Sequence, residues 1–187
     1  MDNKYLSRGV QLVTALLAAF GGFLLNIAPP DETGVKFAVG ISSFLMLLVF
    51  LFIAALTQNS LAPSRKKYWL GVAGLCALIF IATAFLYRSN FEKLTFLYPP
   101  DDSAQVRYVN GTERTPNAEE QMRQRPTLSR AQLLDKFGEA NRHETWTQDS
   151  IDRARTTLVV NYVVMVLSLA LTFFCLTEGI LLRPVTP

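Results

Sequence analysis

Residues 150–183 read SIDRARTTLVVNYVVMVLSLALTFFCLTEGILLR, and the fold turns on how this stretch is understood. After Arg155 no residue is charged until Glu178, enough apolar chain for a helix to cross the hydrocarbon of a bilayer, which takes roughly 17–25 residues. The polar minority within it is ordered. At 100° per residue Asn161, Met165, Ser168, Thr172, Cys175 and Gly179 gather along one side of a helix. Val159, Val163, Val166, Ala170, Phe173 and Phe174 take the opposite side. The spacing predicts a transmembrane helix with two unlike faces. The polar face reads either as a packing surface, where small and hydroxyl side chains let helices approach, or as the lining of a hydrated pathway in an oligomer. Under both readings the valine and phenylalanine side is expected to face lipid.

The rest of the chain fits the membrane class. Of its 187 residues 50% are hydrophobic and only 18% charged, against about 25% in soluble domains. The net charge of +3 is mild and compatible with an anionic membrane surface. Cys76 and Cys175 both lie inside apolar runs, so the spacing supports neither a disulfide framework nor a metal site.

Three more apolar runs precede the last, at about 9–28, 38–56 and 68–87. The first repeats the two-faced pattern: Gln11, Thr14, Ala15, Ala18, Gly22 and Asn26 share a side. Pro29 directly after Ala28 argues against signal-peptide cleavage, so this run is read as an uncleaved span. The second run is richer in Leu, Phe and Val, as a lipid-facing helix would be. Tyr68 and Trp69 open the third and Tyr87 closes it, in the manner of an aromatic belt. Short-loop charge, chiefly Arg65-Lys66-Lys67, places both termini on the cytoplasmic side. In either orientation Asn26 and Asn161 sit at one depth, as do Gln11 and Gly179, which places the two polar stripes to face each other or to share one axis.

Residues 88–156 change character and form the expected extramembrane module. Phe91, Leu94, Phe96, Leu97 and Tyr98 read as a juxtamembrane patch on the headgroups. Val106–Val109 followed by Asn110-Gly111 predicts a small β-hairpin. Ser129-Arg130-Ala131-Gln132 matches a capping box that starts a short helix, with Leu128 and Leu133 spaced for a hydrophobic staple. Thr147 is the expected N-cap of the last helix, with Trp146 stapled to Ile151. That helix would enter the membrane as a continuous rod, with 157–187 as the fourth transmembrane segment and its tail.

Catalytic signatures are absent from the sequence: no phosphate loop, serine-nucleophile motif or zinc spacing occurs, so no enzyme and no cofactor is expected. His143 is the single histidine and reads as a solvated side chain, with pH sensing as the alternative. Arg123, Arg125 and Arg130 surround the helix start at Ser129. Guanidinium groups beside exposed backbone N–H groups would suit a phosphate or a nucleotide-like ligand, while the plainer reading is a solvated basic loop.

The fold expected is therefore an all-α membrane protein with four transmembrane helices and a small extramembrane α+β module between the third and fourth. In plan it resembles the small four-span membrane components of bacterial anti-phage defence systems. The resemblance covers architecture alone. It implies an antiviral sensor or effector of a bacterial inner membrane, with a protein partner encoded alongside and a trigger. The function expected is a homo-oligomeric membrane protein forming a gated pore or ion channel. The alternative is a membrane-anchored sensor or scaffold whose module binds a partner protein or ligand.

Overall fold

The computed structural model of the protein describes residues 29–30, 38–49, 66–98, 106–137 and 142–181. In chain order these hold helix α1 (Ala38–Val49) and helix α2 (Lys66–Leu94), then strands β1 (Thr95–Tyr98) and β2 (Val106–Val109). Helices α3 (Pro116–Gln124), α4 (Arg130–Phe137), α5 (Arg142–Thr145) and α6 (Gln148–Leu181) follow.

Helix α6 runs unbroken for 34 residues. It contains no proline, and its only glycine is Gly179, so nothing interrupts the i→i−4 ladder until its last turn. Four of its hydroxyls turn back onto the helix itself. Thr157 donates to Arg153 O at 2.8 Å, Ser168 to Met165 O at 2.9 Å, Thr172 to Ser168 O at 2.8 Å and Thr177 to Phe173 O at 2.7 Å. Each hydroxyl is thereby satisfied without a partner helix or water.

Helix α2 packs along α6 in the opposite direction. At the start of α2 the Trp69 ring meets Phe174 edge-on at 6.1 Å, and further along Tyr87 lies 6.0 Å from Tyr162. The contact buries Ala73 and Tyr87 of α2 against Leu158, Tyr162, Met165, Val166 and Ala170 of α6. Helix α1 adds Ala38 and Met46 to the same cluster. Ser42, between them on that face, donates to Ala38 O at 2.7 Å. α6 is the central element: half of its apolar window is buried, against 11% for α2.

Beyond the paired ends of α2 and α6 sits a small cap. β1 and β2 form a two-stranded antiparallel sheet with Thr95 opposite Val109 and Tyr98 opposite Val106. The ladder is extended where Asn110 N donates to Leu94 O at 2.9 Å. Residues 113–115 then run antiparallel to 145–147, with Thr115 N donating to Thr145 O and Thr147 N to Glu113 O, both at 3.1 Å. Thr115 caps α3, its Oγ1 accepting from Ala118 N at 3.3 Å and donating to Glu144 O. The box at the start of α4 is reciprocal: Gln132 N donates to Ser129 Oγ at 3.2 Å and Ser129 N to Gln132 Oε1 at 3.0 Å. Leu134, Trp146 and Ile151 make a second buried cluster, with Phe96 and Tyr98 packed on it.

Several sequence expectations are corrected. Two helices among the described residues, α2 and α6, are long and apolar enough to cross a bilayer, rather than four. α1 is apolar along its described residues, Ala38–Val49. The run at 9–28 and Arg65 lie outside the described residues, while Lys66 and Lys67, which carry the rest of the charge argument, open α2. The four-span fold, the multi-pass inner-membrane location and the cytoplasmic termini therefore do not stand. The error is physical: an apolar run satisfies chain packing as well as it satisfies lipid. Val159, Val163, Val166, Ala170 and Phe174, expected to face lipid, are buried inside this single chain.

The hairpin also differs. Asn110-Gly111 is not its turn, because β2 pairs backward with Thr95–Tyr98, the residues expected to form a headgroup patch. At the start of α6, Thr147 occupies the position before the helix, but its Oγ1 has no hydrogen-bond partner. Ser150 Oγ reaches back instead, to Thr147 O at 2.9 Å and Glu113 O at 3.2 Å.

Candidate functional site

Two surfaces of this fold call for a ligand, one apolar and one cationic. The apolar surface is the outer side of α2. Because α6 contacts one flank only, the remaining side chains of α2 project outward, with Leu78 66% and Phe85 75% exposed and Leu75, Ile81 and Leu86 also exposed. Burying one such side chain stabilises by about 1.5–3 kcal/mol, so leaving the row in water costs on the order of the whole net stability of a domain. Contiguous patches of this kind mark interaction surfaces.

The α6 half of the expected stripe is buried or half-buried within this chain. Ser168 and Cys175 are buried, and Asn161 and Thr172 are half-buried. Gly179 faces the start of α2, where an added Cβ would stand 3.2 Å from Leu70 Cδ2 and 3.5 Å from Trp69 Cβ. Small side chains on α6 thus serve close helix approach within one chain. The other half of the stripe, Gln11, Thr14, Gly22 and Asn26, lies outside the described residues. The expected gated pore, and the alternative of an anchored sensor or scaffold built on the same four-span plan, are accordingly set aside. The four-span plan behind the likeness to defence components is not present among the described residues, so that likeness carries no functional conclusion.

The cationic surface is a cleft of about 440 Å³ in the cap, where the end of α2, the segment after β2 and the start of α4 converge. Lys93, Arg114 and Arg130 stand around it, and Leu94, Met122, Leu128, Leu133 and Trp146 supply its apolar walls. Among the described residues, no carboxylate lines it. The acids beside these cations in sequence are engaged elsewhere: Glu92 pairs with Arg88 at 3.2 Å and Glu113 with Arg153 at 3.4 Å. Among the described residues, none of the three cleft cations takes part in an ion pair.

Arg130 is placed by hydrogen bonds that span the site. Its Nη1 donates to Lys93 O at 2.6 Å and to Asn110 Oδ1 at 3.3 Å. Asn110 is buried and is fixed in turn by its N–H on Leu94 O and by Nδ2 donating to Gly111 O at 3.0 Å. Gly111 is required by close approach. A Cβ there would fall 2.2 Å from Ser150 Oγ and 2.7 Å from Trp146 Cβ.

Of the three arginines singled out from sequence, Arg130 lines this cleft, while Arg123 and Arg125 are exposed and stand outside its lining. Lys93, Asn110 and Arg114 were missed. Lys93 lies 37 positions before Arg130 and Asn110 lies 20 before it, so no local pattern joins them. His143 is exposed on α5 and does not line the cleft.

Neither family models, nor curated proteins, nor solved structures give a match to this chain.

Proposed function

We propose that the protein associates with a lipid bilayer through the α2–α6 pair and so holds its small α+β cap at the bilayer surface. The observation that carries this reading is the exposed apolar side of α2, which no described element covers. Length and end chemistry support it. From Tyr68 to Tyr87 no residue is charged, and from Thr156 to Thr177 the same holds on α6. At 1.5 Å per residue each stretch extends about 30 Å, the thickness of a hydrocarbon core. Tyr68, Trp69 and Tyr87 stand at the ends of the α2 stretch, where amphipathic rings favour the interface. Charges then resume on the cap side, as the exposed pair Arg88–Glu92 and the half-buried Arg155 with Asp152.

The experiment asks what covers α2. In a background without Cys76 and Cys175, a fluorophore is attached at Leu78→Cys, and in a second variant at Thr112→Cys on the cap. Both proteins are reconstituted in vesicles. Lipids brominated along their acyl chains should quench the label at residue 78 and leave the label at 112 to aqueous iodide. A label at 78 that iodide reaches, or that neither quencher reaches, would remove lipid as the cover of this face.

A further inference from the structure

The geometry points to the cap cleft as a binding site for a phosphate monoester. The ligand's dianionic end would lie among Lys93, Arg114 and Arg130, and its less polar body would lie on Leu133 and Trp146. This inference stands apart from the lipid reading, because the cleft belongs to the cap and its binding is measurable in detergent.

Charge comes first. Three cations with no carboxylate among the described lining residues set up a positive field in a concave place, and a cleft with low-dielectric walls focuses such a field. One monovalent carboxylate would leave most of it unanswered. A phosphate monoester carries close to two negative charges near neutral pH and three acceptor oxygens. Arginine's planar fork and lysine's point charge are the usual pair for such a group.

Preorganisation comes second. Arg130 uses Nη1 on Lys93 O and Asn110 Oδ1, which holds the guanidinium in place and leaves its other N–H groups for a ligand. Lys93 is fixed at the end of α2, and the backbone of Arg114 is fixed by its bridge to Trp146. The cations thus come from three separately anchored segments, and what remains to be ordered on binding is the Lys93 and Arg114 side chains.

Shape comes third. The buried Leu133 and Trp146, with Leu94 and Leu128, make the interior apolar while the cations are exposed. A bare phosphate would leave that interior empty, whereas a monoester with an apolar or heterocyclic body fills it. Two sources carry this chemistry: a soluble nucleoside monophosphate, or the headgroup of a phosphate-monoester lipid such as phosphatidic acid.

The test uses the full chain in neutral detergent at low salt. It is titrated by calorimetry with adenosine monophosphate, and separately with phosphatidic acid in mixed micelles against phosphatidylcholine. Saturable binding in the first arm assigns a soluble ligand, and in the second a headgroup. In the arm that binds, Lys93→Gln and Arg114→Gln should each weaken affinity about tenfold or more, the scale of one charge-assisted hydrogen bond. Arg123→Gln and Arg125→Gln, outside the cleft, should leave it within twofold. Thermal unfolding of each variant separates lost binding from lost folding, and Arg130→Lys serves as a second variant that keeps the charge while removing the fork. The inference is overturned if neither probe binds at millimolar concentration. It is equally overturned if the outer pair weakens binding as much as the cleft pair, which would mean diffuse charge rather than a site.

Discussion

Gly111 shows how a single residue ties the cap to the long helix. An added methyl would stand 2.2 Å from Ser150 Oγ and 2.7 Å from Trp146 Cβ. Ser150 cannot turn away without giving up Glu113 O and Thr147 O, and a Cβ atom moves only with its backbone. Gly111→Ala should therefore destabilise by about 1–3 kcal/mol, the range for forced overpacking. Gly74→Ala is the matching control: its added methyl meets nothing within 4 Å, and a mid-helix glycine replaced by alanine gains about 0.5–1 kcal/mol. Thermal unfolding in detergent, followed by circular dichroism, should lower the midpoint for the first variant and hold or raise it for the second. Equal midpoints would mean that the loop after β2 does not seat on the start of α6. From sequence, Asn110-Gly111 reads as a hairpin turn because both roles ask for glycine, and nothing local tells close approach from a turn.

At the scale of the element, α6 is the case where the helical wheel describes the faces correctly and misassigns their surroundings. The valine and phenylalanine side and the small-residue side are both largely buried, with α2 packed along α6 and α1 joining the same cluster. Ala170, 4% exposed, belongs to the buried cluster, while Val164 on the same helix is exposed. Ala170→Leu should then cost about 1–3 kcal/mol through overpacking, and Val164→Leu should be near neutral. Unfolding by titration of a denaturing detergent into a mild one would rank the two. If Ala170→Leu proved as mild as Val164→Leu, that side of α6 would be open to lipid after all. The start of α4 contrasts with this case. Its capping box is legible because Ser129 and Gln132 satisfy each other within four residues, whatever the rest of the chain does.

At the scale of the whole molecule, an antiparallel α2–α6 pair lies beneath a cap that holds β1, β2, α3, α4 and α5. The pairing can be checked covalently. A Cβ built on Gly179 lies 3.5 Å from Trp69 Cβ, within the range of about 3.5–4.5 Å that a disulfide bridges. In a background without Cys76 and Cys175, Trp69→Cys with Gly179→Cys should oxidise within one chain, giving a monomer of altered mobility on a non-reducing gel. A disulfide-linked dimer as the main product would mean that the helix pair forms between copies. What the sequence determined by itself was local: the long uncharged helices, the box at Ser129, and the start of the last helix beside Thr147. Each rests on residues within a turn or two of one another, where hydrogen bonding and side-chain period act directly. What only the tertiary structure decided was which apolar faces the chain covers, which strand pairs with Val106–Val109, and which cations meet at the cleft. Those depend on contacts between residues as far as 37 positions apart, and their geometry exists only once α2 and α6 have packed and brought the ends of the cap together.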